Sequence, residues 1–447
     1  MPLSRERGFE SPITRTQKLY LDYHLWRIEQ GAKYRDFRGE GGSLGADQAA
    51  IDLANANNLR YSGPVLFGTP LQGYEGSRFV YDTGSGYLTT TTTACSITSG
   101  CSTTYYDQEL SSTAATVQPQ TERTLVYGSA ELRGFDGTDV VCLSSDADQS
   151  LCATDFQFFL ITYAHGLNGV DGILGMSPSD PANGPSLMQA LYDQGKIPDA
   201  VATFVINDPA QQSSVTLGGV PEGAIDGETT TLDLLQDQDS WWTLELDDMA
   251  YGSSSIKASQ TQYAILDTGT SFLTISRTDY ESFSAAVVAV GAFDCAGAYC
   301  YSQEHYCDRY QDDLEDLTLT LQGKNFTLRS YQYLVSGDGH VAPKCLVAVS
   351  YLSDYEGLYI LGDTFLRSYV STFNYTSEQV LLGASATAPT RLKPHRTWEF
   401  WVLVGIVSAC GLVLLIVLVR CIVRRVKAGR QQQYQQVEQS HPFHQQS

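Results

Sequence analysis

Between Ala54 and Gly383, apolar runs of strand length alternate with turns rich in Gly, Ser and Thr. That pattern predicts an all-β sandwich or barrel built from many short strands. Only two stretches inside it carry a helical period, Ser186–Gln194 and Tyr280–Val290. The remaining runs read as strands. Leu53–Tyr61 and Val65–Gln72 are the first of them. Val201–Asn207 and Ser213–Gly219 close a first half, and Trp241–Asp248 opens a second. Ser371–Asn374 and Gln379–Gly383 end the second half as a hairpin. Outside this region the pattern changes twice. Leu19–Gln30 places Leu19, Tyr23, Leu25 and Trp26 on one helical face. Phe400 to Val419 is an uncharged run of 20 residues, long enough to cross a bilayer. Trp398 and Trp401 mark its start, and Arg420, Arg424, Arg425, Lys427 and Arg430 follow it, which orients the tail into the cytosol.

Two of the predicted strands end alike. Phe79-Val80-Tyr81-Asp82-Thr83-Gly84-Ser85-Gly86 returns as Ala264-Ile265-Leu266-Asp267-Thr268-Gly269-Thr270-Ser271, 185 residues later. One Asp-Thr-Gly is a weak signal, since at average composition about one chain in ten of this length holds it by chance. A pair is stronger, because each copy follows an apolar run and each continues with Ser or Thr. A second turn is duplicated as well: Val170-Asp171-Gly172-Ile173-Leu174-Gly175 is echoed by Tyr359-Ile360-Leu361-Gly362-Asp363. The repeats predict a pseudo-two-fold arrangement that brings Asp82 and Asp267 together. Two carboxylates within hydrogen-bond reach cannot both ionise easily, so they share a proton. One can then act as a general base toward water and the other as a general acid toward a carbonyl oxygen.

These motifs, with the order of elements from Leu53 to Ala384, resemble the pepsin-like aspartic proteases. The resemblance implies a bilobal fold with a cleft between two lobes, at 51–222 and 223–386, and peptide-bond hydrolysis by Asp82 and Asp267 at acidic pH. It implies that Ser85 and Thr270 hydrogen-bond the outer carboxylate oxygens, with Gly84 and Gly269 shaping the turns. Tyr127, Gly128 and Ser129 then correspond to the flap that closes over an extended peptide substrate. Residues 1–50 resemble a basic pro-segment and linker, with Lys33 placed to sit on the catalytic carboxylates; a solvated N-terminal helix is the plain alternative. Four disulfides are expected, Cys95–Cys101, Cys142–Cys152, Cys295–Cys300 and Cys307–Cys345. No cofactor or metal is expected, and the chain is read as a monomer. Two positions depart from the family pattern: Gly86, where Ser or Thr is usual, and Thr89, where a tryptophan normally braces the flap tyrosine. A less fixed Tyr127 and altered flap dynamics are the expected consequence.

Charge and cysteine usage narrow the setting. From 51 to 390 only 12 basic residues face 41 acidic ones, a balance unsuited to nucleic acid or to an anionic membrane surface. Eight of the ten cysteines precede the apolar run, and two sequons, at Asn325 and Asn374, lie in the same region. Both features point to an oxidising, extracytoplasmic compartment and to glycosylation. The seven histidines show no metal-ligand spacing in this region, and the His441–His444 pair sits in the polar tail, which argues against a metalloprotease. The reading is therefore a type I membrane protein of the secretory pathway, endolysosome or cell surface. It has a stalk at 387–399, a transmembrane helix at 400–419 and a cytosolic tail at 420–447. Residues 1–50 hold no apolar core of a signal peptide, so a start upstream of Met1 is expected. In the tail, Tyr434-Gln-Gln-Val437 fits a tyrosine-based sorting signal and Cys421 a palmitoylation site, and plain disordered tail accounts for both. The competing function is a catalytically silent receptor or peptide-binding module of the same fold, which Gly86 and Thr89 would suit. A structural surface glycoprotein would leave both duplicated turns unexplained.

Overall fold

The two duplicated strands sit in duplicated surroundings. In the computed structural model, Phe79–Asp82 runs parallel to Gly172–Gly175, in register from Phe79 opposite Gly172 to Asp82 opposite Gly175. Gly172–Gly175 in turn pairs antiparallel with Leu88–Thr91. The second half repeats this arrangement: Tyr263–Leu266 runs parallel to Tyr359–Leu361, which pairs antiparallel with Leu273–Ile275. Each carboxylate-bearing loop is thereby threaded by a strand from the other duplicated turn. The close approach requires glycine at both crossings. A Cβ on Gly175 would lie 2.5 Å from the Tyr87 nitrogen, and one on Gly362 would lie 2.5 Å from the Phe272 carbonyl oxygen.

The structure describes residues 48–393, apart from short segments at 56–59, 74–77, 102–104, 128–129, 145–149, 168, 179–183, 209–210, 236–240, 338–342 and 352–357. Among these residues the chain is mostly β, with three sheets and three α-helices. Leu187–Asp193 is capped by Ser186, whose hydroxyl accepts from the Gln189 amide. Arg277–Ala289 starts three residues before the predicted Tyr280. There the Ser276 hydroxyl takes the orphan amide of Asp279 at 3.2 Å. Asp363–Leu366 is a single helical turn that the hydrophobic pattern does not signal.

The strands assigned from sequence to the ends of the two halves pair with one another. Val201–Val205 pairs antiparallel with Tyr369–Asn374, and the path Ile225–Asp233, Gln379–Ser385, Tyr369–Asn374, Val201–Val205, Ser213–Leu217, Ala49–Asn55 is one continuous sheet. Its middle strands are buried almost throughout rather than at alternate positions, as expected of strands covered on both faces. This shared sheet reaches the loop that carries Asp82 through Trp242 and Tyr375. Trp242 is fully buried against Phe373 and Tyr375. Its indole N–H and the Tyr375 hydroxyl both donate to the carbonyl of Met176, at 2.9 and 2.7 Å. The Met176 amide then donates to the Asp82 carbonyl at 2.7 Å.

All four expected disulfides form, Cys95–Cys101, Cys142–Cys152, Cys295–Cys300 and Cys307–Cys345. Asn325 is exposed on Lys324–Leu328, while Asn374 is half-buried, its side-chain oxygen accepting from the amides of Thr376 and Ser377. No helix among the described residues is long and apolar enough to cross a membrane. The expected segment at 400–419, the tail features Cys421 and Tyr434–Val437, and the pro-segment with Lys33 lie outside the described residues.

Candidate active site

Asp82 and Asp267 end their strands on tight turns and are each only 8% exposed. Their hydrogen bonds are near copies of one another. Asp82 accepts from the Gly84 amide at 2.9 Å on one oxygen and from the Ser85 hydroxyl at 2.5 Å on the other. Asp267 accepts from the Gly269 amide at 2.7 Å and from the Thr270 hydroxyl at 2.6 Å. Each turn is also pressed against the opposite carboxyl group. A Cβ on Gly84 would stand 2.5 Å from an Asp267 oxygen, and one on Gly269 would stand 2.7 Å from the Asp82 carboxyl carbon. Glycine is the residue that lets the two turns meet.

The turns are locked together by residues that the sequence reading passes over. The Thr83 hydroxyl donates to the Leu266 carbonyl at 2.9 Å and the Thr268 hydroxyl to the Tyr81 carbonyl at 2.5 Å. Each hydroxyl also accepts the other threonine's amide. All of these groups are buried. The signal was present in the repeated middle letter of Asp-Thr-Gly, whose hydroxyl has a donor and two acceptor sites to offer.

Burial and the neighbouring carboxyl group act together on Asp82. Burial pushes the Asp82 pKa well above the usual carboxylate range, and the charge of Asp267 and a hydrogen bond from its side chain push it further. The Ser85 hydroxyl and Gly84 amide pull it back without cancelling the rise. The pair therefore keeps a proton to higher pH than a free carboxylate does.

Tyr127 follows the strand Arg123–Val126, which pairs with Glu131–Cys142 as a hairpin. Its amide donates to the Ala130 carbonyl at 2.8 Å. The half-buried ring packs with Val80, Tyr87 and Leu125 against a cluster that includes Leu132, Phe159, Ile161 and Ile173. Burial pushes its phenol pKa up, with the charges of Asp82 and Tyr87 adding to the rise. Gly128 and Ser129 lie outside the described residues. Thr89 is fully buried, and its hydroxyl accepts from the Ile173 amide at 3.1 Å. Its role is therefore to join two strands beneath the loop. The Gly86 carbonyl carbon lies against Gly175, where a Cβ could not be accommodated.

A third carboxyl group, Asp363, opens the helical turn after the second duplicated motif. It is fully buried, and neither of its oxygens has a hydrogen-bond partner among the described residues. Burial pushes its pKa well up; Arg367 opposes this, while Asp267 and Asp82 add to it. The residue stands in the quoted motif, but its isolation from partners is a tertiary fact.

Comparison with known proteins agrees with this geometry. The family model described as eukaryotic aspartyl protease matches residues 60–385. Vacuolar protease A of Aspergillus fumigatus is 30% identical over 336 residues, which cover 73% of this chain and 79% of that protein. Gastricsin of Callithrix jacchus is 31% identical over 340 residues, covering 73% and 81%. Among solved structures, an aspartic proteinase from Irpex lacteus superposes with a TM-score of 0.62 at 22% identity, covering 76% of this chain and all of that one. At that identity the likeness speaks for the fold.

Proposed function

This chain belongs to the eukaryotic aspartyl protease family, and on the premise that it is an aspartic endopeptidase we propose that Asp82 and Asp267 are its catalytic pair. The observation that carries the proposal is the mirrored bonding of two buried carboxyl groups, each held by a turn amide and a hydroxyl and each pressed on the opposite glycine. The pair holds one shared proton: one carboxyl group gives it to the scissile carbonyl oxygen, while the other accepts a proton from the water that attacks the carbonyl carbon. The tetrahedral intermediate then collapses as the amine takes a proton back from the pair, with no covalent enzyme intermediate. Ser85, Thr270 and the two glycine amides hold the carboxyl groups in place through the cycle.

The substrate class is an extended protein or peptide segment lying under the hairpin that carries Tyr127. Acidic pH favours the reaction, because the active pair holds one proton between its two carboxyl groups. The apolar run at 400–419, with tryptophans before it and basic residues after it, supports a type I anchor with the protease region on the extracytoplasmic side. Four disulfides and the two sequons suit that compartment.

The test is hydrolysis of a broad peptide library between about pH 3 and 7, with Asp82→Asn and Asp267→Asn as controls and a statine-type inhibitor. The expected result is acid-optimal cleavage that either substitution abolishes and the inhibitor blocks. A folded protein that cleaves nothing would favour the binding-module reading instead.

A further inference from the structure

The base of the hairpin is joined to the catalytic loop by one arginine. Arg123 donates through one terminal nitrogen to the Tyr87 hydroxyl at 2.8 Å and through the other to Asp136 at 2.5 Å. Its guanidinium also lies over the Tyr87 ring, 4.8 Å from the centroid, and near Phe159. These three partners come from separate pieces of chain. Arg123 is on the first strand of the hairpin. Asp136 is on the second, two residues beyond Gly134, which stands directly opposite Arg123. Tyr87 lies two residues after Ser85, in the loop that carries Asp82, and its carbonyl accepts from the Gly175 amide.

We propose that Arg123, with Tyr87 and Asp136, acts as a positioning latch that fixes the Tyr127 hairpin over the Asp82 carboxyl. The proposal rests on the reading of Asp82 and Asp267 as the catalytic pair. Three physical arguments carry it. A cation bonded to a carboxylate and stacked on an aromatic ring combines the two strongest contacts open to arginine. The contact is partly shielded, with Arg123 34% and Asp136 18% exposed in their side chains, so solvent screens it less than a surface pair. And Tyr87 contributes to both layers: its ring packs in the same cluster as Tyr127, while its hydroxyl holds Arg123. A second arginine on the hairpin, Arg133, provides a contrast. It pairs with exposed Glu131 and lies over Tyr163, away from the catalytic loop.

Amide hydrogen exchange over residues 123–135, together with steady-state kinetics, tests the latch in Arg123→Met, Tyr87→Phe, the double variant and the matched control Arg133→Met. Exchange in the hairpin is expected to quicken about tenfold in Arg123→Met, the size expected for losing a charge-assisted hydrogen bond. In Tyr87→Phe it quickens less, and in the double variant no more than in Arg123→Met. Arg133→Met leaves it unchanged. KM rises by a similar factor in Arg123→Met while kcat stays within about twofold, because Arg123 touches none of the reacting groups. Arg123→Lys recovers part of the loss.

Equal exchange in Arg123→Met and wild type would overturn the proposal, as would equal acceleration in the strands around Asp267, which marks general loosening. Exchange needs no turnover. The latch can therefore fail while wild-type proteolysis stands, and proteolysis can fail while the latch stands.

Discussion

Thr83 and Thr268 exchange hydrogen bonds in both directions, each backbone amide donating to the other's hydroxyl at 3.0 Å. The same hydroxyls donate onward to carbonyls of the opposite strand, so the two halves of the chain meet through one closed set of buried bonds. Valine keeps the shape of threonine and removes the hydroxyl. Thr83→Val would leave the Thr268 amide and the Leu266 carbonyl unpaired, each costing about 1–3 kcal/mol. A loss of about 2–4 kcal/mol in urea unfolding is expected for either single variant. Because both variants break the same set, the double variant should cost less than the sum by about 1 kcal/mol or more. Strict additivity would show that the two hydroxyls act separately.

Ser85 sets where Asp82 gives up its proton. Its hydroxyl favours the charged carboxylate and opposes the upward push of burial and Asp267. Ser85→Ala removes that opposition, so the Asp82 pKa rises and the pair keeps its proton to higher pH. The alkaline limb of the kcat/KM profile should move up by about 0.5–1.5 pH units, within the worth of a bond to a charged group. The rate at the optimum should fall about tenfold as the carboxyl loses its orientation. A limb that stays put or moves down would show that the Ser85 hydroxyl does not favour the charged form of the pair.

Gly269 stands against the Asp82 carboxyl with no room for a methyl group. Gly269→Ala is expected to fold, since its turn amide still has Asp267 to bond. It should force the carboxyl groups apart and reduce kcat/KM by about a hundredfold or more, as misplacement of reacting groups by an ångström does. Affinity for a statine-type inhibitor should fall in parallel. Near wild-type inhibition would mean that the turns yield without moving the pair.

Which of these features the sequence reveals follows from how local each one is. The paired carboxylates, the duplicated turns and the four disulfides are visible because each is written in a short motif or in a pair of cysteines with obvious flanks. Thr83 and Thr268 were legible in the same letters, and only their mutual bonding was missing. The latch was not legible. Arg123 and Tyr87 are 36 residues apart, and their contact depends on how the hairpin folds back over the loop. The shared sheet was hidden for a related reason. Val201–Val205 and Tyr369–Asn374 are buried almost throughout, and the apolar runs that fill two covered faces do not name the strand they will pair with.

Asp363 and Asp279 are two buried carboxyl groups with opposite effects on stability against pH. Asp363 has no hydrogen-bond partner among the described residues and a raised pKa, caused first by burial. Its contribution to stability is full below the unfolded value of about 3.9 and is lost as pH rises through the folded pKa. For Asp279, burial also pushes the pKa up, but the Ser259 and Tyr359 hydroxyls, the Ser259 amide and the Ser276 hydroxyl outweigh it and hold the pKa below the usual range. Its contribution is full above the unfolded value and is lost as pH falls through the folded one. Thermal unfolding between pH 3 and 8 should therefore show a maximum on the acidic side of neutrality. Asp363→Asn should keep more of its Tm on going from pH 5 to 7.5 than wild type does, by about 2–4 °C for each kcal/mol recovered. Asp279→Asn should lower Tm above pH 5 and flatten the fall below pH 4. Glu228→Gln, which removes an exposed negative charge, controls for the general self-repulsion of so acidic a chain. If Asp363→Asn loses Tm toward neutral pH as steeply as wild type and Glu228→Gln do, the buried carboxyl is not the group that limits stability there.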